Sequence, residues 1–322
     1  FYFMRMLSAL YVFLICFSAF AEEVKFSGFV DFQYRWIEDD SSYKTGFQIY
    51  DAAFYLQKNI GTQTLFFVDA PLSSVDPNTS ATPVESSNNL QLWQSKAQVY
   101  LSHQFARTKF YVGQFDSVFG VEANDTLHNP LPIEGLVAQI VPSVHRGIMV
   151  HHNFKKYDFN LDFIAANQES GGYDRKKPLE WGVNFFKKWE HIHASLGYLY
   201  SRNSGSNNEL VNFISSFFLN KIKIDIEYAW IRKALTNKDS VGGSIRLNMP
   251  VDKELSYQLL VEQADEINGL ARQRLFVLSG SKDLMSSLKL KVGVGLMQNW
   301  QTSFADKSSD QAMFTSSLLY SF

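Results

Sequence analysis

The residues best suited to acid–base or metal chemistry are the seven histidines of this 322-residue chain. They are His103, His128, His145, His151, His152, His191 and His193. A hydroxyl beside an imidazole can make a nucleophile, and imidazoles with carboxylates can hold a metal. Ser143 and His145 are the one pair spaced for the first chemistry. A hydrogen-bonded structural histidine at a strand start is the simpler account of His145. His191 and His193 share a strand face, but two neighbouring ligands without a third make a weak metal site. No glycine-rich phosphate loop or nucleotide motif is present. The residues therefore predict no enzyme, no cofactor and no bound metal.

A second set of charges points to electrostatic selection instead. The stretch Phe115 to Val144 carries Asp116, Glu122, Asp125 and Glu134. It also carries Val118, Phe119, Leu127, Leu131, Ile133, Leu136, Val137, Ile140 and Val141, more apolar side chains than a solvated loop can expose. Flanking strands supply Lys96, Arg246, Arg272, Arg274, Lys289 and Lys291. Opposed acidic and basic rows across a narrow water-filled gap set a transverse field that selects by charge and size. These ten residues are the candidate pore constriction.

Such a gap needs a wall, and the sequence describes one. Lys221 to Trp230 reads KIKIDIEYAW. Its even positions are apolar and end in Tyr228 and Trp230; its odd positions are charged apart from Ala229. Period-two alternation puts these rows on opposite faces of a strand. The pattern recurs from Val24 to the end of the chain. Short turns fall near Asn59, Ala106, Lys155, Lys188, Asn220, Val251 and Leu284, and longer, mostly polar loops alternate with them. Segregated loop lengths and about sixteen alternating strands are the signature of a bacterial outer-membrane barrel. The expected fold is all-β: a transmembrane antiparallel up-and-down β-barrel with a long inward-folding loop.

Composition agrees. Aromatic residues are 15% of the chain and charged residues 19%, a mixture that suits alternating strands better than apolar helices. The net charge of −2 gives no reason to expect nucleic acid as a partner. Residues 1–21 read as a signal peptide, with Arg5, an apolar core from Leu7 to Phe17, and the small-residue site Ala19-Phe20-Ala21. The remaining 22–322 read as one barrel domain. Cys16, the single cysteine, lies in the leader, so the mature domain has no disulfide. A charge on the lipid face costs about 2–4 kcal/mol at the midplane, which drives the charged rows inward. About sixteen strands leave an aqueous channel, whereas about eight are filled by side chains.

Gly113-Gln114-Phe115-Asp116-Ser117-Val118-Phe119-Gly120, followed by His145-Arg146-Gly147, resembles the OmpL-like β-barrel outer-membrane porin family. Its members share a G-[RQK]-F-x-[ST]-x-x-G segment after a strand and a later H-x-G. Ser27 to Asp31 is similar to the family's first strand. The resemblance covers Phe26 to Asn167. It implies an outer-membrane channel in a Gram-negative envelope, passing small hydrophilic solutes and ions by passive diffusion. It assigns no filter residues. Two alternatives stay open: a substrate-specific channel, or a non-conducting barrel for adhesion or anchorage. Aromatics along the lumen would favour sugars; Phe29, Tyr100, Tyr111 and Phe186 are the candidate inward rings, too few to decide. The expected partners are outer-membrane lipid, the small solutes and the barrel assembly machinery, which would read Phe322. A homotrimer fits, although no sector of the outer face stands out as its contact.

Overall fold

The structure is a computed structural model describing residues 24–39, 42–73, 91–92, 97–121, 129, 131–133, 135–167, 179–203, 206–233, 238–267, 270–300 and 309–322. The leader at 1–21 lies outside them. The strands are β1 (Val24–Asp39), β2 (Ser42–Ile60), β3 (Thr64–Ser73), β4 (Gln91–Leu92), β5 (Gln98–Phe105), β6 (Thr108–Asp116), β7 (Val144–Phe154), β8 (Phe159–Asn167) and β9 (Leu179–Lys188). They continue as β10 (Ile192–Asn203), β11 (Ser206–Leu219), β12 (Ile222–Lys233), β13 (Lys238–Pro250), β14 (Leu255–Ile267), β15 (Leu270–Met285), β16 (Leu288–Trp300) and β17 (Ser309–Ser321). Each is antiparallel to the next along the wall. The two-residue β4 and the longer β5 both pair with β3, so they share one wall position and the wall has sixteen. Strand β1 pairs with β2 on one side and β17 on the other, which closes the sheet and leaves no edge.

Side-chain burial is inverted relative to a water-soluble protein. On β12, Asp225 and Glu227 are each 3% exposed, while Ile226 and Tyr228 are 36% and 45% exposed. Leu196, Phe213, Ile245, Phe276, Val294 and Leu296 extend the exposed apolar band around the outside. Asp31, Gln33, Asp162, Asn184, Asn212 and Glu262 are buried on the inside. Hydrogen-bonded ladders satisfy these inner groups: Ser195 Oγ donates to Asn184 Oδ1 at 2.7 Å, and Asn184 Nδ2 to Asp162 Oδ2 at 3.1 Å. An apolar band that large facing water would be an aggregation surface; facing lipid it is the solvated side.

The seven short connections fall where the sequence puts them. Left-handed backbone at Gly61, Ala106, Asp158 and Asn220 tightens four of them. In another, Asp252 accepts hydrogen bonds from the backbone N–H groups of Glu254 and Leu255, both at 2.7 Å, and so caps the turn between β13 and β14.

Candidate functional site

The described residues of the segment between β6 and β7 lie inside the barrel. Phe115, Phe119, Leu131, Ile133, Leu136, Val137 and Ile140 are all buried, and a 3-10 turn spans Val137–Gln139. Their partners are inward-facing wall residues: Met149, Ile164, Leu199, Leu210, Ala229, Leu260, Leu275 and Val277. Here the inner row of the wall changes from polar to apolar, and that change is what the loop docks on. Each of these side chains larger than alanine contributes about 1.5–3 kcal/mol on burial.

Glycines let the loop backbone approach. A Cβ on Gly197 would meet the Phe119 ring at 2.4 Å, one on Gly242 would meet Ile140 at 2.5 Å, and one on Gly293 would meet Pro132 at 2.7 Å. Between these contacts the wall binds loop backbone groups. Asn212 Oδ1 accepts from Gly120 N at 3.3 Å, Glu227 Oε2 from Val121 N at 3.3 Å, and Glu262 Oε2 from Leu136 N. Lys291 Nζ donates to the Asn129 carbonyl at 2.7 Å. The described loop residues thus lie along the inner face from β9 to β16.

A buried relay pins the base of the loop. Ser117 Oγ is 3.0 Å from His145 Nε2, and His145 Nδ1 is 3.1 Å from Glu180 Oε1. The second approach is a close contact that lacks hydrogen-bond alignment. Ser143, the sequence-level partner of His145, instead accepts the Ser117 N–H with its backbone carbonyl at 2.9 Å. The three side chains have the order of a hydrolytic triad. However, His145 is 1% exposed, and Ser117 Oγ already accepts the Phe119 N–H at 3.1 Å. An enclosed imidazole and an occupied hydroxyl suit a structural pin.

The ten candidate constriction residues divide three ways. Lys96, Glu122, Asp125 and Glu134 lie outside the described residues. Asp116 ends β6 and accepts from Gln98 Nε2 at 2.8 Å. The described cations do not form one row facing it. Arg246 and Lys291 are buried on the strands the loop covers. Arg272 Nε pairs with Asp265 at 2.9 Å, and Arg274 Nε donates to Gln263 at 3.0 Å. Lys289 pairs with Asp283 at 3.2 Å, beside the turn between β15 and β16. The physical reasons differ: Arg246 and Lys291 are covered where the loop's apolar face buries against the inner row, whereas Arg272 and Arg274 alternate with the inward Gln273, Leu275 and Val277 and so stand on the outward row with Phe276. Sequence reasoning missed Glu227 and Glu262, the carboxylates that bind loop N–H groups. The signal was present where apolar residues occupy both faces of a strand, as at Leu259-Leu260 and Leu275-Phe276-Val277. Among the described residues no group of three or more metal-ligating side chains gathers.

No protein-family model matches the chain, and no curated protein matches its sequence. Solved structures do match its shape. The outer membrane channel DcaP of Acinetobacter baumannii aligns with a TM-score of 0.67 and 12% identity, over 94% of this chain and 97% of that one. The fold is that of the outer-membrane porins. An anion-selective porin from Comamonas acidovorans gives 0.66 and 13%, over 94% and 100%. The trimer form of OmpT from Vibrio cholerae gives 0.65 and 11%, over 94% and 100%. At such identities the likeness extends to the fold.

Proposed function

We propose that the protein is an outer-membrane porin of the OmpL-like kind, a water-filled channel for passive diffusion of small hydrophilic solutes and ions. The observation that carries this reading is the inverted burial of a closed sixteen-position wall, with polar and charged rows turned inward, apolar rows turned outward, and the described loop residues packed on the inner face from β9 to β16. The family-like motif has a physical role in it. Gly113 and Gly147 sit opposite each other in β6 and β7, Phe115 is buried, Ser117 and His145 form the pin, and Gly120 takes a φ of 92° as the chain turns inward. Asp116 is exposed at the end of β6, where a carboxylate favours cations, while Asp31, Asp51 and Asp69 are buried in the wall. The shape neighbours support a homotrimer as the working assembly.

The test is reconstitution in a planar bilayer. A porin gives stepwise ion conductance; a folded barrel without steps is a non-conducting anchor, and the reading fails. Removing residues 121–141 should raise single-channel conductance and weaken size discrimination, because the narrowest cross-section sets both. Replacing Asp116, Glu122, Asp125 and Glu134 together by their amides should shift the reversal potential towards anions. If both variants assemble and match the parent, the constriction lies elsewhere.

A further inference from the structure

The outer face of the barrel carries a recess close to the short turns. Phe159 on β8, Phe185 and Lys187 on β9, Ala194 and Leu196 on β10, and Phe213 on β11 line a groove of about 290 Å³. Its walls belong to the lipid-facing row. Phe185, Leu196 and Phe213 are exposed, whereas their inward neighbours Asn184, Ser195 and Asn212 are buried. Ala194 makes the recess: it lies in register beside Lys187, on an outward row whose next members, Ile192 and Leu196, are large. An apolar slot in the lipid-facing wall suits a hydrocarbon chain.

The mouth of the groove is charged. Lys187 lines it, and Lys187 Nζ lies 5.2 Å from the ring centre of Trp189 at the turn. Phe159 pairs with Lys187, so the turn between β9 and β10 lies beside the turn between β7 and β8. That second turn carries Lys155 and Lys156, and Lys156 Nζ lies 5.3 Å from the Tyr157 ring centre. Tyr157 and Trp189 are both exposed, and rings with a polar tip settle at headgroup level. Among the described residues no carboxylate pairs with Lys155, Lys156 or Lys187; Glu190 instead approaches His191, at 3.7 Å. The short turns on the far side of the barrel are balanced. There Asp252 and Glu254 flank Lys253, and Asp283 pairs with Lys289.

We propose that this groove and its lysines hold an anionic glycerophospholipid of the periplasmic leaflet. An acyl chain lies along Phe185, Ala194, Leu196 and Phe213, and the phosphate meets Lys155, Lys156 and Lys187. The leaflet rests on the outer-membrane reading, in which the short turns face the periplasm. The site itself does not depend on conduction. A soluble acidic protein would meet the lysines and leave the groove unfilled. A zwitterionic lipid would fill the groove and bring its own cation against the lysines. An anionic lipid matches both features, and lysines clustered at a membrane surface select such headgroups.

Native mass spectrometry of the folded, delipidated barrel in detergent reads the binding. Phosphatidylglycerol and phosphatidylcholine with the same acyl chains are the probes. The expected result is retention of phosphatidylglycerol, with phosphatidylcholine bound at least about tenfold more weakly. Lys155→Gln with Lys156→Gln and Lys187→Gln should bring the two lipids level. Ala194→Phe, which fills the groove, should weaken phosphatidylglycerol binding by a similar factor. Lys253→Gln, on the far rim, should leave it unchanged. Heat-dependent gel mobility establishes that each variant is folded. Equal retention of the two lipids by the parent overturns the proposal, as does an undiminished preference in the folded triple variant. Undiminished binding by Ala194→Phe overturns the place given to the acyl chain. Polyglutamate that binds as tightly as the lipid, and equally to Ala194→Phe, points to an acidic protein and also overturns it. Conductance in a planar bilayer is read separately. A conducting barrel without the lipid preference loses this site alone; a non-conducting barrel that keeps the preference supports the site and removes the channel reading.

Discussion

At the scale of single residues, the Ser117–His145–Glu180 relay concentrates polar risk in a small space. His145 and Glu180 are 1% and 4% exposed, and the imidazole stands between the carboxylate and the hydroxyl. Removing one partner of such a set leaves the others dehydrated and unpaired, which costs more than the pair contributes when intact. We therefore expect His145→Ala to destabilise the folded barrel by about 3 kcal/mol, through the stranded Glu180 carboxylate and a cavity beside Phe115 and Phe119. Ser117→Ala should cost about 2 kcal/mol, since it removes two hydrogen bonds, one with His145 Nε2 and one from the Phe119 N–H. Urea midpoints of the detergent-folded protein measure both. Equal, small losses would mean that water reaches the relay and that the pin carries little load. His145 was visible in the sequence, but its partners were not. Glu180 lies 35 positions further on, in a strand whose register only the closed sheet fixes.

At the scale of elements, the loop and the wall are matched surfaces, and the match can be broken on purpose. Gly197 faces the Phe119 ring so closely that any side chain must displace it. Gly197→Val should lift the loop root from β10 while leaving the lipid-facing row intact. The expected outcome is normal heat-dependent mobility with higher and noisier single-channel conductance. Unchanged conductance would place the loop root away from the narrowest point. The turn between β13 and β14 gives a pH prediction. Backbone N–H groups of Glu254, then Leu255, hold the Asp252 carboxylate below its ordinary pKa. Its cap is therefore fully present above the unfolded pKa and is lost as pH falls through the lower, folded value. The amide resonances of Glu254 and Leu255 should titrate together, with a midpoint below that of an unstructured aspartate. The strands and short turns were legible because each carries its own period-two pattern and turn residues. The inward course of the loop was legible from its excess of apolar side chains. Its landing place was not, because docking depends on which inward positions of the eight strands from β9 to β16 are apolar or glycine.

At the scale of the whole molecule, closure decides whether any of this exists, since an open sheet in lipid leaves a row of unpaired backbone groups. The seam is between β1 and β17. Phe29 to Asp39 pair with Ser321 to Gln311, and the last residue extends the ladder. Gly28 and Phe322 exchange backbone hydrogen bonds in both directions, each 3.0 Å. The Phe322 ring lies over Gly28, where a Cβ would meet it at 2.7 Å. It also lies 6.2 Å from the Phe26 ring and 6.1 Å from the Phe54 ring. Phe322 thus belongs to the seam itself, in addition to any recognition by the assembly machinery. The two roles separate experimentally. Deleting Phe322 removes both backbone bonds and the ring, whereas Phe322→Ala keeps the bonds and removes only the ring. If recognition dominates, both variants should lose membrane yield in cells, yet Phe322→Ala should refold in detergent nearly as well as the parent. If the seam dominates, the deletion should also refold poorly in detergent, where no machinery is present. We expect both effects: lower yield for both variants in cells, and a refolding defect in detergent that is larger for the deletion. Parental yield and refolding for the deletion would remove Phe322 from both roles.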